Sequence, residues 1–344
     1  MISSRGSARL SRMESDLSNF QGKHVLITGG LGFIGSTLAI QLLNLDAKVT
    51  LIDSLEPNYG GHFTNIEGYQ NDLTVVVDDV RNTAAIQKLI KNQDFLFNLA
   101  GQTSHLDSMQ DPETDLAINC TAQLAILETC RHHNPSIRTV FASTRQIYGT
   151  PQYLPVDEKH PLRPVDVNGI NKLAGEQYHL LYNNVHGLRS SVLRLTNTIG
   201  PRMRIQDARQ TFLGIWIRRL LEGQAFEVWG GKQLRDLTDV DDCVQALLKS
   251  ALCQETYGKA FNLGGSETIS LKALAELLID IHGGGTFNLC PFPEERAAID
   301  IGDYYASDQL FRATTGWKPQ IQLRETLKRT LDFYAHHLKS YVKV

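Results

Sequence analysis

Along the first half of the chain and somewhat beyond, short and nearly continuous apolar runs alternate with stretches of helical period. Residues 24–28, 48–53, 73–77, 95–99, 139–143 and 190–195 read as buried strands. Residues 33–43, 117–132 and 171–183 carry helical spacing between them. Strands that are apolar on both faces and separated by helices predict an α/β protein with a doubly wound parallel sheet. The rhythm changes after Pro201. Helical signals over 211–222, 241–252 and 271–282 alternate there with short strands, and Pro and Gly cluster over 283–293. This predicts an extension over 1–20, a nucleotide-binding domain over 21–200, and a smaller α/β substrate lobe over 201–344, interleaved with the first.

Composition narrows the function classes. The chain has 344 residues, 42% hydrophobic and 21% charged, with a net charge of -3 and no basic stripe. A nucleic-acid partner is therefore not expected, whereas a small anion held by a few arginines is compatible. No apolar run reaches membrane-spanning length, and residues 1–20 lack the apolar centre of a secretory signal, so no membrane partner and a cytoplasmic location are expected. The five cysteines have no metal-ligand spacing. They read as reduced thiols, with no metal site.

The chemistry begins where the first strand meets the first helix, at Gly29-Gly30-Leu31-Gly32-Phe33-Ile34-Gly35. Glycine at 29 permits a tight turn, at 32 a close approach of backbone amides to a pyrophosphate, and at 35 close helix–sheet packing. The helix N-terminus then faces the anion. Asp53 ends the second strand, where a carboxylate accepts hydrogen bonds from the adenosine ribose and repels a 2′-phosphate. NAD rather than NADP is the expected cofactor.

Gly-x-x-Gly-x-x-Gly and the motifs downstream of it resemble the extended short-chain dehydrogenase/reductase family, in particular its NAD-dependent sugar-nucleotide epimerases and dehydratases. The resemblance runs from Lys23 to Tyr334. It implies that Asp79 and Val80 contact adenine and that Leu99, Ala100 and Gln102 lie under the cofactor, with Asn98 where the family has histidine. Ser108 to Pro112 and Asn119 match a further helix-starting pattern. In Ser143-Thr144-Arg145-Gln146-Ile147-Tyr148-Gly149 it implies that Thr144 touches the reacting hydroxyl. Asn197, Arg235 and Arg296 become candidates for holding the nucleotide-diphosphate sugar. A homodimer through the helices at 117–132 and 171–183 is likewise implied. Independently of the family, guanidinium forks suit phosphates, and Asn and Thr suit hydroxyls.

One departure bears on catalysis. The family's Y-x-x-x-K pair reads Asn168-Gly169-Ile170-Asn171-Lys172 here. Lys172, which in the family holds the nicotinamide ribose, is kept, but asparagine has no pKa near neutrality and cannot act as general base. The expected role of Asn168 is to hydrogen-bond substrate. Arg145 and Gln146 stand where dehydratases carry an acid pair, which weakens a dehydratase reading. Three readings follow. The first is a 4-epimerase-like enzyme working through a transient keto sugar with a relocated base, for which His105, Tyr153 and a bound water are candidates. In the second, Arg145 binds a substrate carboxylate, so a uronic acid nucleotide is processed, with decarboxylation among the outcomes. The third is a catalytically silent binder of NAD or sugar nucleotide, which the retained Lys172 opposes.

Overall fold

The computed structural model describes residues 17–207, 211–293 and 300–342. Most of the expected extension falls outside the described residues. Its end does not: Ser18–Phe20 form one helical turn, and Phe20 is fully buried against Phe95 and Phe97. That aromatic side chain belongs to the core, a correction to the boundary expected at residue 20.

Seven parallel strands form the main sheet in the order β10-β6-β5-β4-β1-β2-β3. They are β1 (His24–Thr28), β2 (Lys48–Asp53), β3 (Thr74–Val77), β4 (Phe95–Asn98), β5 (Arg138–Thr144), β6 (Arg189–Leu195) and β10 (Ala260–Asn262). The six strands read from the sequence are all present. The seventh, β10, was not anticipated, because three residues carry too little pattern. The fold is a Rossmann-like α/β sheet. Helices cover both of its faces, and the helices of the described chain are α1 (Phe33–Asn44), α2 (Thr83–Leu89), α3 (His105–Gln110), α4 (Pro112–Leu116), α5 (Ala122–His133), α6 (Val167–His186), α7 (Phe212–Leu221), α8 (Val240–Leu252), α9 (Leu271–His282), α10 (Gln309–Thr315) and α11 (Leu323–Tyr341). One face of the sheet buries Val25, Ile27, Leu51 and Phe97 under α1 and α8, and the other buries Leu26, Ile52 and Leu96 under α2 and α5. Alternation of neighbouring strand residues between two covered faces explains why the strands read as unbroken apolar runs.

The remaining strands are β7 (Asn197–Ile199), β8 (Phe226–Trp229), β9 (Leu234–Asp239), β11 (Thr268–Ser270) and β12 (Phe287–Cys290). They make a three-stranded sheet, β11-β9-β7, and a β12-β8 pair. Their core joins Trp216, Phe226 and Leu278 to Leu327 and Tyr334 of α11.

Two helices differ from expectation in ways that shape the site. The helix expected over 117–132 is a composite: α4 runs into a π-turn at Ala117–Thr121 before α5. Extra-residue turns of this kind are often found beside functional sites. The helix expected from 171 starts at Val167, because Asp166 caps it and accepts a bond from the Gly169 N–H at 2.6 Å. An Asp N-cap satisfies an orphan donor and complements the helix dipole. Asn168 is thereby fixed in the first turn rather than in a loop.

Candidate active site

The strand order reverses direction between β1 and β4, which both pair within the sheet while their connections leave to opposite sides. A crevice at the carboxyl ends of such strands is where open α/β sheets take ligands. The cleft there is lined by Gly29, Gly32, Phe33, Ile34, Gly35, Asp53, Asp79, Val80, Leu99, Ala100 and Gln102 towards one end, and by His105, Thr144, Arg145, Asn168, Lys172 and Asn197 towards the other. Most residues singled out from the sequence therefore share one surface.

The glycine turn is built for close approach. Gly29 has φ +66°, and a Cβ there would meet Ala100 backbone atoms at 3.0 Å; a Cβ on Gly35 would lie 2.2 Å from the Gly29 carbonyl oxygen. The turn is held to the neighbouring strand by the Leu99 and Ala100 N–H groups, which both donate to Thr28 Oγ1 at 3.1 Å. Asp53 accepts from the Leu31 and Leu55 N–H groups at 3.0 Å each. Burial raises its carboxyl above the usual range and these amide bonds pull back against it. A cradle that only glycine fits, next to a strand-end carboxylate, suits a dinucleotide. Asp79 is gripped on both oxygens by Arg81, which holds its carboxyl below the usual range. Its charge is thus already answered, while Val80 is buried beside it.

At the other end, Lys172 is buried on α6 and donates to the Ala142 carbonyl at 2.8 Å, with its ammonium 4.6 Å from the Phe141 ring centre. Burial pulls its pKa down to about 8, against the pull of Asp115 and Glu176. Thr144 ends β5, and its hydroxyl oxygen accepts from the Gln146 N–H at 3.2 Å. Asn98, in place of histidine, bridges Thr28 and Gln123 in a fully buried polar chain.

Asn168 lines the cleft, but its amide nitrogen is engaged within the protein. Its Nδ2 donates to the Gln102 carbonyl at 2.8 Å and to Asp115 Oδ2 at 3.0 Å. Asp115 is fully buried and also accepts from Asn119 at 3.0 Å and Asn171 at 2.8 Å. Three side-chain amides thus replace water around one carboxylate. Of the expected hydrogen bonding to substrate by Asn168, the donor side is taken up within the protein, since both N–H groups are engaged.

His105 opens α3, whose cap is Ser104. Its Nδ1 sits 2.9 Å from Asp166 Oδ2. The approach is close but off the line of a good hydrogen bond, so Nδ1 counts as unsatisfied. Catalytic pairs in ligand-free sites are often misaligned in this way. The Asp166 side chain is fully buried and accepts from Gln146 Nε2 at 3.0 Å as well as from Gly169. Burial opposes its ionisation, but His105 and the two donors outweigh this and keep its carboxyl below the usual range. Nε2 of His105 makes no hydrogen bond among the described residues.

Tyr153 lies outside the cleft lining, 44% exposed, with its hydroxyl donating to Asp157 at 2.7 Å. It is not a base candidate. Arg235 does not line the cleft either. It is buried, donates to the Leu234 and Gly302 carbonyls, and has Asp300 at 3.8 Å. Its expected grip on a diphosphate has no support in this arrangement. Arg296 lies outside the described residues. Asp115 and Asp166 were missed from the sequence. Asp166 had a readable signal, an Asp three residues before Gly169 at a helix start. Asp115 had none, since its partner Asn168 is over fifty positions away.

A glycine cradle and strand-end acid thus share one cleft with a threonine, a buried lysine and a histidine. The chain belongs to the NAD dependent epimerase/dehydratase family, whose model matches residues 25–264. It is 30% identical over 90% of its length to a putative UDP-glucose 4-epimerase of Methanocaldococcus jannaschii, covering 97% of that protein. It is 28% identical to UDP-glucuronic acid decarboxylase 1 of Xenopus tropicalis, over 94% of this chain and 75% of that one. Among solved structures, UDP-glucose 4-epimerase of Thermotoga maritima with UDP-glucose superposes with a TM-score of 0.82 at 26% identity, covering 92% of this chain and all of that one. The family is NAD-dependent, and an NAD-dependent sugar-nucleotide enzyme is the class these relatives define.

Proposed function

We propose that the chain epimerises a nucleotide-diphosphate sugar through a transient keto sugar, with His105 taking the proton that the family assigns to tyrosine. The observation that carries this reading is the His105–Asp166 pair at 2.9 Å within the cleft that also contains Thr144 and Lys172. A carboxylate behind one imidazole nitrogen orients the ring and stabilises the imidazolium that forms, leaving the other nitrogen for substrate. NAD, when bound, would supply the reversible hydride acceptor that a transient keto sugar requires. Thr144 orients the reacting hydroxyl. Lys172 holds the nicotinamide ribose and adds positive charge where the alkoxide develops. Gly29, Gly32, Phe33, Ile34 and Gly35 cradle the pyrophosphate, and Asp53 takes the adenosine ribose. Asn168 acts as a strut between Gln102 and Asp115 and stays out of the proton transfer.

Elimination of water fits less well, because Arg145 and Gln146 supply no acid. Decarboxylation stands as the second reading, favoured by Arg145 in the cleft and by the similarity to a UDP-glucuronic acid decarboxylase. A silent binder has no use for a buried lysine whose ammonium is held at a cost in solvation. We further propose a homodimer through α6 and its neighbour: Leu116, Ile170, Leu181 and Val185 are between 47% and 63% exposed. Within the helix at 117–132, Ile126 and Leu127 face the core and are not available to that contact. No helix among the described residues is long and apolar enough to cross a membrane.

The test is mass spectrometry of small molecules released by denaturing the purified protein, followed by NMR of products from UDP-hexoses. Retained NAD and an inverted hydroxyl support the reading; an exchanged cofactor with net oxidation or reduction sinks it.

A further inference from the structure

One cation in the cleft is not answered by the chain itself. Arg145 follows Thr144 at the end of β5 and lines the cleft. A guanidinium has five N–H donors. Among the described residues Arg145 uses one of its groups: Nη2 donates to Asn197 Oδ1 at 3.0 Å. Nη1 is shut off from solvent without a partner, and no carboxylate among the described residues comes within 4.0 Å. Below the guanidinium, 5.2 Å away, lies the ring of Tyr304, a fully buried phenol whose pKa is pushed well above 10 by burial and which is therefore neutral. Asp236 and Asp300 act only at longer range, and the Oδ1 of Asp236 is itself unpartnered.

Arg194, on the adjacent strand, shows how this protein treats a structural arginine. Its Nε and Nη2 bond Glu176, and its Nη1 donates to the Tyr148 hydroxyl at 2.6 Å. Burying an uncompensated cation is costly, and folds retain such groups where a ligand completes them.

We propose that Arg145 is the anchor for a carboxylate on the substrate's sugar, so that the substrate is a nucleotide-diphosphate uronic acid. The proposal rests on the sugar-nucleotide reading above. A planar fork with free donors matches a carboxylate edge to edge. Placement favours the sugar over the diphosphate as the source of the anion. Arg145 directly follows Thr144, the last residue of β5, and the Ala142 carbonyl on that strand holds Lys172, so the guanidinium stands at the reacting end of the cleft.

The test is calorimetric titration of the NAD-loaded protein and its Arg145→Met variant with UDP-glucuronic acid, UDP-glucose and UDP. The wild type binds UDP-glucuronic acid at least about tenfold more tightly than UDP-glucose, and Arg145→Met removes that preference while leaving the other two within about twofold. Equal affinity for the two sugars, or a preference that survives in the variant, overturns the proposal. Uniform weakening of all three in the variant assigns the guanidinium to the diphosphate; the carboxylate anchor then fails while the sugar-nucleotide reading stands. Binding of none of the three by the wild type sinks that reading and the proposal with it. Thermal unfolding without ligand supplies the control: Arg145→Met melts no lower than the wild type, because an unanswered cation has gone. A marked loss of stability, or failure to fold, shows the arginine to be structural and also overturns the proposal.

Discussion

Restoring the family's tyrosine by Asn168→Tyr should damage this enzyme rather than improve it. The substitution removes two hydrogen bonds, one from Asn168 Nδ2 to the buried Asp115 carboxylate and one to the Gln102 carbonyl. A bond to a charged acceptor contributes about 1.5–3 kcal/mol and one to a neutral carbonyl about 0.5–1.5 kcal/mol, so the loss is about 2–4.5 kcal/mol. Asp115 retains Asn119 and Asn171, and Gln102 retains Asn119, so the variant folds but opens more easily. Urea unfolding of both proteins gives the stability difference, and NMR-monitored turnover of matched UDP-hexoses and UDP-uronic acids gives the catalytic one. Turnover is expected to fall along with stability. If turnover rises while stability stays within about 0.5 kcal/mol of the wild type, the residue at 168 is simply a lost base and the reasoning about the Asp115 strut is refuted.

Two other perturbations test separate parts of the site. Lys172→Met abolishes turnover yet stabilises the NAD-free protein at pH 7 by about 1–3 kcal/mol, since burial holds the lysine near 8 against 10.5 when unfolded. The penalty is full below about pH 8, shrinks as pH rises from there, and is gone above 10.5, where both states are neutral; chemical unfolding at pH 7 and pH 11 should show the gap closing. Gly35→Ala puts a methyl 2.2 Å from the Gly29 carbonyl oxygen. It should cost about 1–3 kcal/mol in thermal unfolding and leave the purified protein without NAD, read by absorbance of the denatured extract.

How far the sequence carried the argument differs between the halves of the molecule. Strands β1, β2, β4, β5 and β6 were readable because burial on both faces writes an uninterrupted apolar run. The glycine turn was readable because its spacing reflects a steric demand within seven residues. The lobe built on β7, β9 and β11 was less so: strands such as Thr268–Ser270 are too short to show a period. The site divides in the same way. Thr144, Lys172 and Asp53 could be placed by local motif. What Asn168 does could not, because it depends on Asp115, which reaches the same point through the π-turned helix. His105 was visible only as a lone histidine, and it gained meaning once the cap of α6 brought Asp166 to within 2.9 Å. Arg235 shows the converse, a motif match whose side chain the fold uses to hold its own backbone.

The central claim, that His105 takes the sugar proton, is tested most directly by rapid mixing of NAD-loaded protein with substrate, following reduced nicotinamide by absorbance in wild type and His105→Gln. The account predicts a transient reduced cofactor in the wild type and a rate of formation about 10²–10⁴-fold lower in the variant, with bound NAD and sugar-nucleotide affinity preserved. A transient of unchanged rate in His105→Gln would contradict it and place the base elsewhere in the cleft.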